Sequence, residues 1–144
     1  MKLMFLLFVS MLCSSLVFSQ SIPSSQVPAG VVKTLKRYFP SADNVEWEKK
    51  GANYQAAFEV KRTDHKALLE DKGKLIAYKK DIPAAHLPQA VRQVIRQQYK
   101  GYKIDDVQLI ARNGNLYYEV DLDGPKDQKL VFTRDGKTDN SQGW

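Results

Sequence analysis

The sequence predicts an α+β fold, built as a tandem repeat of a helix followed by a three- or four-stranded antiparallel meander. We expect the helices to pack on one face of the sheet. Three observations predict this fold: a repeat at a shift of sixty residues, an amphipathic helical pattern in each half, and period-two alternation after each helix. Because neither half alone has much core, we expect the two sheets to combine or pack closely.

The repeat is carried by apolar and proline positions that recur in one register. The corresponding segments are Ile22-Pro23 with Ile82-Pro83, Val27-Pro28 with Leu87-Pro88, and Phe58-Glu59-Val60 with Tyr118-Glu119-Val120. With a slip of about three residues, the turn at Gly73 corresponds to the turn at Gly136. These matches divide the chain into a signal peptide (1–19), a first repeat (20–82), a second repeat (83–138) and a flexible C-terminal tail (139–144).

Each repeat begins with a helical pattern. Pro28 and Pro88 stand where a helix accepts proline, in its first turn. Apolar residues then recur at helical spacing: Val31, Leu35, Tyr38 and Phe39 in the first half, and Val91, Val94, Ile95 and Tyr99 in the second. Pro40 ends the first helix, and Gly101 is a plausible cap of the second.

Strand patterns follow each helix. Apolar residues alternate with polar ones: Val45 and Trp47, then Tyr54, Ala56, Phe58 and Val60, and in the second half Leu116, Tyr118, Val120 and Leu122. Asn113-Gly114 and Asp135-Gly136 are typical of tight hairpin turns. This alternation predicts a sheet with one buried face and one wet face.

The N-terminus is typical of a secretory signal peptide. Lys2 precedes an apolar run from Leu3 to Leu12, which is too short to span a bilayer comfortably. Small or permissive residues then predict cleavage near Ser19-Gln20. We therefore expect a periplasmic or secreted protein with no stable membrane anchor after cleavage.

Cys13 offers an alternative, because a cysteine here could be the acylated residue of a lipoprotein. The preceding residue is Leu12, where a lipobox has a small residue, so signal cleavage is the favoured interpretation. Cys13 is also the only cysteine of the chain. A mature chain without it excludes disulfides, thiol catalysis and zinc–thiolate sites.

The charge pattern argues against a nucleic-acid partner. The formal net charge is +6, and the basic residues are scattered among acidic ones. A nucleic-acid-binding protein would carry a basic stripe. The pattern indicates a solvated surface.

No catalytic or metal-binding constellation is visible, and we expect a protein that is not an enzyme and needs no cofactor. The two histidines, His65 and His86, lie on different elements and do not pair at ligand spacing. No serine stands in a nucleophile-elbow motif. The segment from Asp121 to Gly124 lacks the spacing of an EF-hand loop, since its glycine comes at position four and Phe132 takes position twelve.

The wet sheet face is the candidate protein-binding surface. Alternation places on it a polar set with one aromatic residue: Glu46, Glu48, Gln55, Glu59, Tyr117 and Glu119. Rigid aromatics in a polar surround suit protein recognition, although a plain solvated face fits the same pattern. An edge strand that accepts a partner strand is a second route.

The second half resembles the PepSY-like family of exported bacterial proteins, which are also described as resembling the β-lactamase inhibitory protein. The resemblance is carried by Leu87-Pro88-x-x-Val91, Tyr99-Lys100-Gly101-Tyr102, Tyr118–Gly124 and Phe132-x-x-Asp135-Gly136-Lys137. The first half matches more loosely, through Val27-Pro28, Tyr38-Phe39-Pro40, Trp47 and Phe58-Glu59-Val60. The resemblance implies a tandem α/β-meander fold, export, and a role related to the inhibition of peptidases.

These observations favour an exported, non-catalytic binding module. Its partner would be an envelope or secreted protein, such as a peptidase or another hydrolase, which it binds or inhibits. The alternative is a periplasmic protein that binds a small ligand or has a structural role in the envelope. A sizeable apolar cavity between helices and sheet would favour this alternative.

Overall fold

The computed structural model describes residues 20–144. The predicted signal peptide, with Cys13 and the residue before the cleavage site, lies outside these residues. Across residues 20–144 the chain forms two α-helices, three short 3-10 helices and one eight-stranded antiparallel sheet. The predicted α+β class is confirmed.

The strands follow one another in the sheet in the order of the chain. They are β1 (Gln20–Ile22), β2 (Asp43–Lys50), β3 (Asn53–Val60), β4 (Thr63–Glu70), β5 (Leu75–Asp81), β6 (Lys103–Arg112), β7 (Asn115–Asp123) and β8 (Gln128–Thr133). Helix α1 (Ala29–Tyr38) follows β1, and helix α2 (Gln89–Gln98) follows β5. The sequence left open how two sheets would combine; β5 pairs directly with β6, so the sheet is continuous.

The two helices begin and end in the same way. Pro28 and Pro88 directly precede the first helical residues, with φ of −54° and −55°. A proline loses nothing at this point, because the first N–H groups of a helix have no partner within it. At the other end, the N–H of Phe39 donates to the Leu35 carbonyl over 2.8 Å, and Tyr99 repeats the bond to Ile95 over 2.9 Å.

Each helix contributes to its own apolar cluster with the sheet. The first contains Val27, Val31, Leu35, Trp47, Ala56, Phe58, Ala67 and Leu69. The second contains Leu87, Val91, Ile95, Val107, Tyr118, Val120, Leu122, Leu130 and Phe132. Burial of each large apolar side chain stabilises the fold by roughly 1.5–3 kcal/mol, so the alternating apolar positions of the strands supply much of the core.

Two turns approach the helices so closely that only glycine fits. Gly73 follows β4 with φ +89°, and a Cβ there would lie 2.9 Å from the carbonyl oxygen of Gly30. Gly136 follows β8 with φ +87°, and a Cβ there would lie 3.0 Å from the carbonyl oxygen of Ala90. Both turns are closed by an N–H from the glycine to the residue three positions earlier.

The chain takes different routes after these two turns. After Gly73 it continues as β5, in register with β4. After Gly136 a single bridge pairs Thr138 with Phe132. The following residues, Thr138–Trp144, form what we call the C-terminal segment.

The C-terminal segment, expected from its polar composition to be flexible, makes defined contacts with the sheet. The N–H of Asp139 donates to the Val131 carbonyl over 2.8 Å, and the Val131 N–H donates to the side-chain oxygen of Asn140 over 2.9 Å. A 3-10 turn follows at Asn140–Gln142. Its polar groups therefore bond to the edge strand β8 rather than only to water.

Candidate binding face on the sheet

The sheet positions that alternate with the two apolar clusters form a second face. Its buried members are Gln55, Leu68, Ala77, Lys79, Ile110, Glu119 and Val131. The register places Gln55 opposite Leu68, Lys79 opposite Ile110, and Glu119 opposite Val131. Because charged residues are almost never buried unless they are paired, the burial of Lys79 and Glu119 requires both a cover and partners.

Trp144 covers part of this face. Its indole Nε1 donates a 2.9 Å hydrogen bond to Oε1 of Gln55. Nζ of Lys79 donates to the main-chain oxygen of Trp144 over 3.0 Å and lies 4.7 Å from the centre of the indole ring. The guanidinium carbon of Arg112 lies 5.2 Å from the same centre. Two cations and one amide oxygen thus hold a single aromatic residue.

Lys79 and Glu119 form a buried ion pair. Nζ and Oε1 are 3.3 Å apart, and each side chain is only 5% exposed. Lys129 reaches the same oxygen at 3.8 Å from a solvent-exposed position. Loss of solvation lowers the pKa of Lys79 below its ordinary value, and the attraction of Glu119 opposes this shift.

Asp121 is a second carboxylate with an altered environment. Burial raises the pKa of Asp121 above its ordinary value, while nearby Lys129 opposes the shift. Lys129 Nζ lies 3.7 Å from Oδ1, and this oxygen has no hydrogen-bond partner within residues 20–144. The face therefore ends in a partly desolvated acidic group next to one exposed lysine.

The six residues predicted for the binding surface do not form one patch. Gln55 and Glu119 are buried, Glu46 is exposed, and the other three, Glu48, Glu59 and Tyr117, are half-buried. Four of them lie on β2 and β3 and two on β7. Three strands lie between β3 and β7, so the two groups are four strand spacings of about 4.8 Å apart, or roughly 19 Å. The contacts of Trp144 to Lys79 on β5 and Arg112 on β6 lie between these two groups.

The exposed part of the β2–β3 group is acidic. Glu46 and Glu59 line a concavity of about 410 Å³ together with Asp64, Lys66 and Asp81. Nε2 of Gln108 donates a 2.7 Å hydrogen bond to Asp81 at the same place. We call this acidic region, together with Glu48 two positions from Glu46 on β2, the polar rim.

Glu48 connects the rim to the covered part of the face. Its carboxylate accepts a 3.4 Å hydrogen bond from Nε2 of Gln55 and lies 3.6 Å from Nζ of Lys50. The amide of Gln55 thus bonds Trp144 through its oxygen and Glu48 through its nitrogen. Glu48, Gln55 and Trp144 are therefore joined by hydrogen bonds.

Sequence reasoning missed Lys79, Arg112 and Trp144. Alternation along β5 indicates the face on which Lys79 lies, because it places this residue on the same side as Ala77 and Asp81 and opposite to Tyr78 and Lys80. Trp144 is the one large apolar residue of the C-terminal segment. Neither signal reveals that the two residues meet, because 65 positions separate them.

A separate apolar groove lies between α1 and β2. It has a volume of about 460 Å³, and its apolar lining includes Val32, Leu35, Phe39, Val45 and Trp47. Val45 is 38% exposed, so the groove opens to solvent. An apolar cavity between helix and sheet is the feature expected of the alternative function, a small-ligand-binding or structural envelope protein.

The part of the chain that the structure describes contains no arranged set of metal ligands. No group of three or more histidine, cysteine or acidic residues stands in a position to hold an ion within residues 20–144. His65 Nδ1 lies 2.8 Å from the Thr63 carbonyl oxygen, and the ring stacks on Phe58 at 5.5 Å. His86 is exposed in a 3-10 turn. No helix among these residues is long and apolar enough to cross a membrane.

Three solved structures resemble the fold. A DUF2874 family protein from Bacteroides uniformis is 22% identical, with a TM-score of 0.70 over 77% of this chain and 85% of that one. A protein described as "putative periplasmic" from Bacteroides eggerthii is 18% identical, with a TM-score of 0.72 over 78% and 85%. A BLIP-like protein from Bacteroides fragilis is 20% identical, with a TM-score of 0.66 over 81% and 84%. At these identities the likeness shows the fold alone.

Among curated proteins, none matches this chain. The sequence profile of one family, described as "Putative beta-lactamase-inhibitor-like, PepSY-like", matches it twice, at residues 17–77 and 74–139. These two matches cover nearly all of the described residues and confirm the resemblance drawn from the sequence. The family is inhibitor-like rather than catalytic in its description. The chain belongs to this PepSY-like family.

Proposed function

We propose that the protein is an exported, non-catalytic binding module that binds or inhibits another envelope protein, such as a peptidase or another hydrolase. The observation that carries the proposal is the second face of the sheet, where a network of polar and cationic groups holds an aromatic residue next to acidic side chains of β2 and β3. Aromatic anchors surrounded by polar groups are typical of protein interfaces. The inhibitor-like description of the family supports the same class of function.

The proposal includes a tandem repeat with both helices on one face. Ile22 pairs with Trp47, and sixty residues later the N–H of Ile82 donates to the Val107 carbonyl, so the two halves start in one register. Tyr78 packs against the first apolar cluster and pairs with Ala111. Ala111 is two positions from Leu109, which packs against the second apolar cluster. Side chains two positions apart share a face. This arrangement leaves the second face for a partner.

Export is part of the proposal. Lys2, the apolar run that follows it and the permissive residues near Ser19 favour cleavage before Gln20. A periplasmic or secreted protein without a membrane anchor and without a nucleic-acid partner follows. The description of one similar structure as periplasmic agrees with this compartment.

The contact residues of the proposed interface are the accessible members of the predicted set. These are Glu46, Glu48, Glu59 and Tyr117, which lie on β2, β3 and β7, on either side of the strands that carry Lys79 and Arg112. The negative charge of the rim favours a partner with basic residues at the periphery of its contact area. Gln55 and Glu119 would support this surface from beneath rather than touch the partner.

Affinity capture from an envelope extract of the native organism tests the proposal. The bait is mature protein from Gln20, compared with a Glu46→Ala, Tyr117→Ala variant. The matched control carries Arg92→Ala and Gln97→Ala, two exposed positions of α2. We expect a partner that the bait and the α2 control retain and the face variant loses, and we expect mature protein to inhibit that partner or a member of a peptidase and β-lactamase panel. No captured partner together with no inhibition would refute the binding-module proposal.

The apolar groove favours a second candidate, the binding of a small apolar ligand. Val32, Leu35, Phe39, Val45 and Trp47 offer a mostly apolar lining, as small-molecule sites commonly do. A fluorescent fatty-acid analogue is a suitable probe, with Val45→Glu to block the groove. Leu116→Glu, at another exposed apolar position, is the control. Binding that Val45→Glu abolishes and Leu116→Glu retains would favour this candidate.

A further inference from the structure

We propose that Gln55, Lys79 and Arg112 form a peptide-binding site for an aromatic residue of another protein, and that Trp144 of the chain's own C-terminal segment occupies this site until it is displaced. We call these three residues the Trp144 site. The inference rests on the proposed function and deepens it, because it names the chemistry of the partner: a segment with an aromatic ring and a small residue before it.

The Trp144 site contacts both the side chain and the backbone of Trp144. Gln55 accepts a hydrogen bond from the indole nitrogen, and Lys79 donates one to the main-chain oxygen. Lys79 and Arg112 both lie within cation–π distance of the ring. A buried indole N–H needs an acceptor in any setting, but a tryptophan that only filled space would not need the two cations and the main-chain hydrogen bond, which a site that recognises a peptide uses together.

The residue before Trp144 fits the face closely. A Cβ at Gly143 would lie 3.2 Å from Cγ2 of Val131 and 3.3 Å from Oε2 of Glu119. A larger residue at this position would press on the buried carboxylate that pairs with Lys79. The site therefore selects a glycine or another small residue followed by an aromatic one.

The resident segment is held by few interactions, which makes exchange feasible. In the first half, the stretch after Gly73 is a full strand in register with β4. In the second half, pairing stops after the Thr138 bridge, and the contacts to Val131 precede an exposed stretch at Asn140 and Ser141. Trp144 then anchors the far end. The bonds of Asp139 and Asn140 to Val131 hold the near end of the segment, so only its far end opens when a competing aromatic takes the position of Trp144.

The competition can be measured without knowledge of the natural partner. The probe is a synthetic peptide with the sequence of residues 137–144, titrated into isotope-labelled protein and followed by the NMR shifts of the Gln55, Lys79 and Arg112 backbone amides. Two full-length mature proteins are compared, the wild type and Trp144→Ala. NMR shifts detect even millimolar binding, so a weak complex is still visible.

We expect the probe to bind Trp144→Ala at least roughly tenfold more tightly than the wild type, because the attached segment competes at a high effective concentration. A probe peptide with alanine in place of its tryptophan should not bind. Gln55→Ala added to Trp144→Ala should weaken binding severalfold. Ser141→Ala, at an exposed position of the segment, should behave as the wild type, and thermal unfolding would show that each variant is folded.

Two results would overturn the inference: no shift of these amides in the folded Trp144→Ala protein, or equal binding of the tryptophan and alanine peptides. Failure of the binding-module proposal is distinguishable. It would appear as the absence of any captured envelope partner with both the wild type and Trp144→Ala, whatever the peptide does. Stronger capture by Trp144→Ala than by the wild type would support the two proposals together.

Discussion

Nε1 of Trp144 donates a 2.9 Å hydrogen bond to Oε1 of Gln55, which joins residues 89 positions apart. Gln55 lies on β3 in the first half, and Trp144 follows the second half. The bond therefore ties the two halves together across the second face, in addition to the strand pairing of β5 with β6.

Loss of the Trp144–Gln55 hydrogen bond should lower the stability of the whole sheet. Trp144→Ala removes one hydrogen bond and two cation–π contacts, for which we expect a loss of about 1–3 kcal/mol in the free energy of unfolding. Urea unfolding of the mature protein measures it. Tyr38→Ala, at a 54% exposed position, is the control and should change little. Equal effects of the two changes would show that Trp144 contributes nothing beyond an exposed aromatic.

The Lys79–Glu119 pair should show strong coupling in a double-mutant cycle. Lys79→Met leaves Glu119 buried with only the more distant Lys129, and we expect a cost of about 3–5 kcal/mol. Lys79→Met with Glu119→Leu should cost much less than the sum of the two single changes. Chemical denaturation of the four proteins measures the coupling. Additive costs would mean that the two charges do not depend on each other.

The two close turns should be intolerant of any side chain. Gly73→Ala and Gly136→Ala both place a Cβ against a helix carbonyl oxygen and require a left-handed backbone. We expect each to lower the free energy of unfolding by about 1–3 kcal/mol or more. Gly51→Ala is the matched control, since it has φ +58° but nothing within 4 Å of the added Cβ. Thermal unfolding compares them, and the difference from Gly51→Ala isolates the steric part.

Asp121 should make stability depend on pH in a defined direction. Its pKa is raised in the folded protein, so the folded state binds this proton more tightly than the unfolded chain does. The contribution of Asp121 is therefore lost as the pH rises from its unfolded value through its higher folded value. Asp121→Asn should raise the melting temperature at about pH 7 and make little difference at about pH 3. The expected gain is under about 1 kcal/mol, because the carboxylate is partly solvated.

Asp123→Asn is the control for this measurement, because Asp123 is an exposed neighbour on the same strand. Its profile from about pH 3 to about pH 7 should follow that of the wild type. A gain from Asp121→Asn that persists unchanged at the acidic end would contradict the assignment to a raised pKa. In that case the new amide would stabilise the fold through packing or hydrogen bonding instead.

Local patterns predicted the elements of this protein well. Helical spacing around Val31 and Val91 predicted α1 and α2. Alternation around Trp47 and Tyr118 predicted strands whose central apolar side chains are buried, whereas Val45 and Leu116 of the same patterns are exposed. The turns at Gly73 and Gly136 also follow from local chemistry, since glycine alone adopts their backbone angles readily. Such features depend on neighbouring residues, and a sequence displays them directly.

The site depends on contacts that no local pattern displays. The C-terminal segment is polar, and polarity predicts a loose tail unless the partner of Trp144 is known. Lys79 and Glu119 are 40 positions apart, and each alone is typical of a solvated strand position. The six predicted face residues remain a prediction as a binding surface, although the structure divides them into two groups. Contacts between distant strands, which composition does not predict, determine how the residues of the site are arranged.

The order of the eight strands has a consequence for how the fold forms. Each strand pairs with the one before it, and five of the seven pairs are hairpins joined by a short turn, so these hairpins can form one after another as the chain is synthesised from its N-terminus. Local pairing of this kind closes short loops and favours rapid folding. The bond from Trp144 to Gln55 is far less local, because it spans 89 residues and closes after the strands between them are in place. Formation of that bond would mark the completion of folding, and the environment of the Trp144 indole would report it.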